Sequence, residues 1–213
     1  KSVFFFFFSG AFTMSALPVS AQLIVSNLAR ETASSWDLGA PTGLQGVAND
    51  FTTGSGPGWT LNSVTLNLFV DPNEPPPTQD LSLILAQNNN GVPGSSLGSF
   101  TTETPSSGDR SYSPTGTITL VPNTTYWLVA NYPREDVVYW TNTADVSQTG
   151  GTGWSIGDDS YTFNDPNWEV LGDDVPVLLG VNATPVPEPS TYAMIAGFSL
   201  VGFAGWRRWC SRA

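Results

Sequence analysis

Short β-type runs dominate the middle of the chain, and they constrain the fold more than any other feature. Val64, Leu66 and Leu68 alternate with polar residues in the run from Ser63 to Val70, as in a strand with one buried face. The same alternation returns in Leu-, Ile- and Val-containing runs further along, without the 3.6-residue period of an amphipathic helix. We therefore expect an all-β fold.

The number and spacing of these runs predict a β-sandwich. Eight to ten strands are expected, the remainder at 81–85, 117–120, 126–132, 137–140, 154–156, 161–163, 168–171 and 177–181. The run 126–132 is rich in aromatic and aliphatic residues and has the composition of a central strand covered on both faces. Turn-forming residues separate the runs, at 54–58, 72–78, Asn90-Gly91 and Pro93-Gly94. This pattern is typical of a single antiparallel β-sandwich or jelly-roll-like domain.

The first 21 residues have the composition of a secretory signal peptide. Lys1 is followed by an apolar run from residue 3 to residue 17, and the small residues Val19-Ser20-Ala21 come next. This order predicts a signal helix over 1–21 that is cleaved between Ala21 and Gln22. The sandwich domain is then expected to cover residues 22–184.

The other end of the sequence predicts a membrane segment. A proline-rich linker at 185–191 precedes an uncharged apolar run at 192–206, and Arg207 and Arg208 open a basic tail at 207–213. A helix of 15 residues rises about 22 Å, and aromatic flanks and snorkelling arginines extend its reach toward the bilayer thickness. We expect a single transmembrane helix with its basic tail in the cytoplasm.

The three parts of this tail occur in a known order. Val186-Pro187-Glu188-Pro189, an apolar helix and then Arg207-Arg208 resemble the PEP-CTERM sorting signal of Gram-negative bacteria. The resemblance implies that Pro187, Glu188 and Pro189 are recognised by a membrane-embedded exosortase that cuts near this motif. It also implies export by the secretion machinery, an inner-membrane precursor, and delivery to the cell surface or the extracellular matrix of a biofilm.

A second resemblance covers most of the expected sandwich. It is carried by four segments in order, at 23–28, 50–54, 90–97 and 120–129. Together they resemble the choice-of-anchor R type of bacterial surface domain. This resemblance implies a β-sandwich and display at the cell surface, and it supplies no catalytic residues.

Composition excludes several classes of function. The chain has no histidine, one cysteine and a net charge of −11, which removes catalytic triads, His-ligated metals and intrachain disulfides. Residues 22–190 hold all 18 acidic residues and three arginines, a net charge of −15. Such a domain is a poor partner for nucleic acid, which needs basic contacts to phosphate.

Aromatic and acidic residues near turns are the candidates for a binding site. Trp59, Trp154 and Trp168 lie beside Gly- or Asp-rich turns, where we expect exposed indoles that stack on the sugars of an exopolysaccharide. Asp158, Asp159 and Asp165 are the candidate ligands of a structural calcium ion, and no other cofactor is expected.

These features predict a structural or adhesive surface protein and no enzymatic activity, so no catalytic residue is assigned. One alternative is a carbohydrate-active enzyme that uses two carboxylates, drawn from the acidic pairs at 135–136, 158–159 and 173–174. A second alternative is a calcium-stabilised carbohydrate-binding module.

Overall fold

The segments in which apolar and polar residues alternate form strands, and these strands pair into two sheets. The computed structural model describes residues 22–39, 46–56, 58–134, 137–164, 167–172 and 174–186. Within these residues the secondary structure consists of strands: β1 (Gln22–Ser26), β2 (Ser34–Asp37), β3 (Val47–Thr52), β4 (Trp59–Val70), β5 (Ser82–Asn89), β6 (Val92–Ser99), β7 (Gly108–Tyr112), β8 (Thr119–Leu120), β9 (Thr125–Asn131), β10 (Val138–Asn142), β11 (Thr149–Gly150), β12 (Ser155–Asn164), β13 (Asn167–Gly172) and β14 (Leu179–Pro185).

Both sheets are antiparallel. The first has the order β11-β1-β14-β4-β10-β2, with β7 and β8 also paired to β4. The second has the order β13-β12-β3-β9-β5-β6. Strands distant in sequence are neighbours in both sheets, since β1 pairs with β14 and β3 pairs with β9. This is the arrangement of a β-sandwich.

The core lies between the sheets because each strand turns one face inward. In β4, Val64, Leu66 and Leu68 are buried, whereas Phe69 on the other face is exposed. Together with Phe51 and Leu128 of the second sheet they belong to one continuous hydrophobic cluster. The alternation seen in the sequence thus becomes the boundary between the core and the outer faces.

The all-β antiparallel prediction is confirmed, and β9 is an interior strand of its sheet as expected. Two details differ. The predicted strands 154–156 and 161–163 fall on the single strand β12, which begins at Ser155, because a bulge carries the chain across the intervening residues. Pro93 and Gly94 lie inside β6, and the reversal is made by Asn90 and Gly91 alone. Both have positive φ (56° and 87°), as a two-residue hairpin turn requires.

Several sequence predictions concern residues outside the described ranges. They are the signal helix with Ala21, the transmembrane helix, the Pro187–Pro189 motif and the Arg207-Arg208 pair. In the part of the chain that the structure describes, there is no helix that could cross a membrane.

Two buried asparagines join the sheets to the segment that leads into β14. Asn27, next to β1, donates its amide to the Val177 carbonyl oxygen at 2.9 Å. Asn49 of β3 accepts the Val177 N–H at 2.9 Å and donates to the Gly157 carbonyl oxygen at 3.0 Å. The backbone of Val177 is thus held from both sheets. These bonds are shielded from water, since Asn27 is 3% exposed and Asn49 is 0% exposed.

Replacing Asn49 with alanine should destabilise the sandwich by about 3 kcal/mol, because it removes the partner of the buried Val177 N–H and of the partly buried Gly157 carbonyl oxygen. Urea unfolding of a fragment spanning residues 22–186 measures this loss. Asn182→Ala is the matched control. Its amide is only partly buried and makes one bond, to Ser63 Oγ at 3.2 Å, so a loss below about 1 kcal/mol is expected. Equal losses in the two variants would contradict the role assigned to Asn49.

Tyr112 at the end of β7 is a buried tyrosine that lacks a hydrogen-bond partner among the described residues. Burial raises the pKa of its hydroxyl above the ordinary value of 10.0, and the nearby Glu103 carboxylate raises it further. The unfolded chain therefore loses this proton first as the pH rises. Stability linked to Tyr112 is present below pH 10 and falls above it.

Tyr112→Phe should stabilise the fragment slightly at pH 7, by up to about 1 kcal/mol, because it removes an unpaired buried hydroxyl. The variant should also lose less stability than the wild type between pH 9 and pH 11. Thermal unfolding across this range tests both expectations. A variant that loses stability as steeply as the wild type would show that Tyr112 does not titrate in this way.

Candidate functional site

The outer face of the second sheet carries a small hydrophobic cluster that is separate from the main core. Trp127 of β9 lies between Ala48 of β3 and Ala86 of β5, and Tyr161 and Trp168 pack against this group. The indole has room because its neighbours are alanines. The Tyr161 ring meets it edge-on, with centroids 5.0 Å apart and planes at 85°, a favoured aromatic geometry.

Trp127 also orients a polar side chain beside the cluster. Its indole Nε1 donates to Asn88 Oδ1 at 3.0 Å, and the Gly91 N–H donates to the same oxygen at 3.0 Å. Two donors on one oxygen fix which way the amide group faces. Asn88 is exposed, so its Nδ2 remains as a donor toward solvent.

Two carboxylates from neighbouring strands complete the polar edge of this region. Asp50 lies on β3 directly across from Trp127 of β9. Asp159 lies on β12, and its Oδ1 accepts the Asp174 N–H at 2.9 Å. Asp50 and Asp159 are brought together by a bulge in β12, because Ile156 pairs with Phe51 but the next paired residue is Ser160.

The bulge depends on glycine at position 157. A Cβ there would collide with the Asp50 carboxylate, so the carboxylate rests directly on the Gly157 backbone. The Gly157 carbonyl oxygen in turn accepts a bond from the buried Asn49 amide. Asn49, which also bonds Val177, therefore helps to fix the position of Asp50 through Gly157.

Together these groups line an open cavity of about 380 Å³ on the sheet surface. Its walls are formed by Asp50, Asn88, Gly91, Thr125, Trp127, Gly157, Asp159 and Tyr161. The Thr125 hydroxyl is paired with the Thr52 hydroxyl at 2.8 Å. An aromatic wall with a fixed amide donor and carboxylate acceptors is suited to a polyhydroxylated ligand.

The expectation of an exposed Trp154 is wrong. Trp154 is 7% exposed and belongs to the main core, where its ring stacks on Phe51 with centroids 6.3 Å apart. Trp59 is half-buried and meets Trp154 edge-on at 5.2 Å. Both indoles fill the end of the sandwich because the glycine-rich turns beside them let the chain close over the rings. Gly54, for example, has no space for a Cβ against Trp154.

Trp168 is the one predicted indole that lies near the cavity. It is half-buried on β13 and packs against the Trp127 cluster. Sequence reasoning did not single out Trp127, Tyr161, Asn88 or Asp50 for the site. The available signal was the alternation in β9: Thr125, Trp127 and Val129 share one face, so Trp127 cannot point into the same core as Leu128.

Of the three candidate calcium ligands, the structure describes the side-chain environment of Asp159 alone. Asp159 lines the cavity, Asp158 lies in the β12 bulge, and Asp165 is outside the described residues. In the described ranges no three acidic or cysteine side chains come close enough to hold a metal ion. Calcium binding stays a prediction.

A second open cavity lies on the outer face of the first sheet and has a different character. It measures about 460 Å³ and is bordered by Phe69, Leu68, Asn67 and several serine and threonine residues. Phe69 packs against Tyr139 with ring centroids 5.9 Å apart. Carboxylates are absent from its described lining, so this face offers an aromatic pair without the charged edge of the first cavity.

Gly157→Ala should displace the Asp50 carboxylate and strain the bulge, at a cost of about 1–3 kcal/mol. Gly116→Ala is the matched control, because a Cβ at position 116 meets no atom within 4 Å. Thermal unfolding of both variants compares the two positions. A Gly157→Ala variant as stable as the Gly116→Ala variant would show that the bulge can relax without cost.

The comparisons with known proteins address the tail. Residues 185–208 match the family model of the PEP-CTERM protein-sorting motif. No curated protein matches the chain. Since the match does not extend to the strands before residue 185, the resemblance of the sandwich to the choice-of-anchor R type stays a prediction.

The matched motif begins at the last residue of β14. It implies processing by an exosortase and a secreted protein with a membrane-anchored precursor. The chain therefore carries a PEP-CTERM protein-sorting motif at residues 185–208.

Proposed function

We propose that this protein is a structural or adhesive component of the bacterial surface or matrix, and that it binds a neutral exopolysaccharide through the outer-face cavity. The motif match supports the export route. The cavity beside Trp127 supports the choice of ligand, and its fixed Asn88 amide is the observation that carries the proposal.

Sugar binding needs an accessible aromatic surface together with polar groups of fixed direction. Tyr161 and Trp168 are both partly exposed, whereas Trp127 is 2% exposed and serves as their support. The Asn88 amide presents a donor, and the Asp50 and Asp159 carboxylates present acceptors. Sugar hydroxyls both donate and accept, so they match this mixed edge.

Charge favours a neutral polysaccharide over an acidic one. The two carboxylates at the cavity would repel uronic acid groups, and the described cavity lining contains no arginine. The arginines of the sandwich are engaged elsewhere: Arg30 lies 3.6 Å from Asp145, and Arg134 lies 3.0 Å from Glu74. Arg110 donates to the Ser106 and Ser107 carbonyl oxygens.

The rival proposal of a hydrolase has one observation in its favour. Asp50 and Asp159 come from neighbouring strands and line the same cavity, as a pair of catalytic carboxylates would. Asp50 rests on the Gly157 backbone and Asp159 accepts the Asp174 N–H. These contacts within the protein account for the positions of both carboxylates. We therefore favour binding without hydrolysis.

Affinity electrophoresis in gels that contain neutral or uronic-acid polysaccharides tests the proposal with the 22–186 fragment. Neutral polymers should retard the wild type. Asn88→Ala and Tyr161→Ala should each weaken this retardation about tenfold, which corresponds to about 1.4 kcal/mol of binding energy. Phe69→Ala is the matched control, since it removes an exposed aromatic ring from the other sheet.

Unfolding curves of the same variants separate lost binding from lost folding. Equal retardation of wild type, Asn88→Ala and Phe69→Ala would overturn the cavity as the binding site. Release of new reducing ends by the wild type, abolished in both Asp50→Asn and Asp159→Asn, would establish the hydrolase instead.

A further inference from the structure

The strand ends that lead to the two terminal segments lie side by side. Gln22, the first residue of β1, pairs with Ala183 of β14. The last residue of β14, Pro185, pairs with Trp59, the first residue of β4. The Val186 N–H then donates to the Gly58 carbonyl oxygen at 2.7 Å. Val186 is the last residue that the structure describes, and we name this end of the molecule the exit end.

Three loops surround the strand ends and complete the exit end. They are the loop after β3, the loop between β8 and β9, and the loop between β11 and β12. The Asn123 N–H donates to the Gly54 carbonyl oxygen, which joins the first two loops. The Gly151 N–H donates to the Ile24 carbonyl oxygen, which joins the third loop to β1.

The described segments of the exit end are free of charged residues, although the sandwich as a whole is strongly acidic. These segments contain no aspartate, glutamate, lysine or arginine; they are residues 22–28, 51–56, 58–63, 113–126, 146–157 and 179–186. The acids Asp71, Glu74 and Asp80 lie at the opposite end instead, between the last residue of β4 and the first residue of β5. Glu103 is next to them, since its carbonyl oxygen accepts the Leu81 N–H.

Exposed apolar side chains are found among the uncharged residues of the exit end. Leu23 is 54% exposed, Val121 is 57% exposed and Val186 is 37% exposed. Each belongs to a different element, namely β1, the loop after β8 and the residue that follows β14. Single exposed aliphatic residues are ordinary, but here three of them lie on uncharged segments of the exit end, with the Leu23 side chain next to Gly180 of β14.

The tail keeps this surface close to the membrane. Five residues separate Val186, the last residue that the structure describes, from the apolar run that begins at residue 192. Five extended residues span at most about 18 Å, less than the length of β4, whose 12 residues extend about 40 Å. While the tail is anchored, the end of the sandwich nearest the membrane is therefore the exit end.

We propose that the exit end is the surface on which the sandwich contacts the lipid headgroups while the precursor is anchored. An acidic surface at this distance would be repelled by anionic lipids and would lose hydration on contact. An uncharged surface with Leu23, Val121 and Val186 avoids both costs. This inference rests on the motif match and on the exit geometry, and it does not depend on the glycan cavity.

Lipid quenching of a fluorescent label in the full-length chain tests this contact. Cys210→Ser removes the single cysteine, and Val121→Cys or Gln79→Cys then places one label at the exit end or at the opposite end. The chain is reconstituted in vesicles of phosphatidylethanolamine and phosphatidylglycerol that contain headgroup nitroxide lipids. The vesicles contain no exosortase that could bind or cut the tail, so quenching of the label reports contact with the nitroxide lipids.

The label at position 121 should be quenched at least threefold more than the label at position 79. Equal quenching at both positions, or stronger quenching at position 79, would overturn the proposal.

Added charge gives a second test that does not depend on label placement alone. Ser55→Asp with Thr119→Asp puts two acids on exposed positions of the exit end, and quenching at position 121 should fall at least twofold. The same two acids at Asn73 and Thr78, at the opposite end, are the matched control and should change nothing. Unchanged quenching in the exit-end variant would also overturn the proposal. Circular dichroism of each variant confirms that the sandwich is folded.

Discussion

The sandwich depends on the hydrogen bonds that Asn27 and Asn49 make with the backbone of Val177. A sandwich is held mainly by apolar contact between its sheets, which has no preferred direction. A buried amide bond has strict geometry and is costly to leave unmade. Asn27 and Asn49 reach the same residue from different sheets, so they fix how the sheets lie relative to the segment that starts β14.

Asn49 also influences the surface of the second sheet, through its hydrogen bond to Gly157. Asn49 holds the Gly157 carbonyl oxygen, Gly157 supports the Asp50 carboxylate, and Asp50 lines the cavity next to Trp127. The bulge in β12 is therefore the point where a constraint of the core sets the shape of an outer face. Bulges of this kind re-aim side chains and are common beside functional sites.

Much of the fold was predictable from the sequence because it depends on local alternation. The inward residues of β4 and the interior position of β9 follow directly from the spacing of apolar residues. The merging of two predicted strands into β12 did not follow, because Gly157 and the two acids after it are typical of a loop. Only the pairing with β3 shows that this segment is a bulge within a strand.

The candidate site was less predictable for the same reason. Trp154 lies beside a glycine-rich turn, which indicated exposure, yet its ring fills the end of the core. The cavity combines residues from β3, β5, β9 and β12, and strand order decides which of them meet. The order depends on pairings between distant parts of the chain, which alternation within a single strand does not encode.

The position of β14 has a consequence for the timing of folding. β14 lies between β1 and β4, so neither neighbour has its full set of hydrogen bonds until residues 179–185 arrive. β14 is also the last described strand in the chain, so the first sheet stays open along β1 and β4 until this final segment joins it. Pairings of such long sequence separation form slowly, so closure of the first sheet is expected to be a late step of folding.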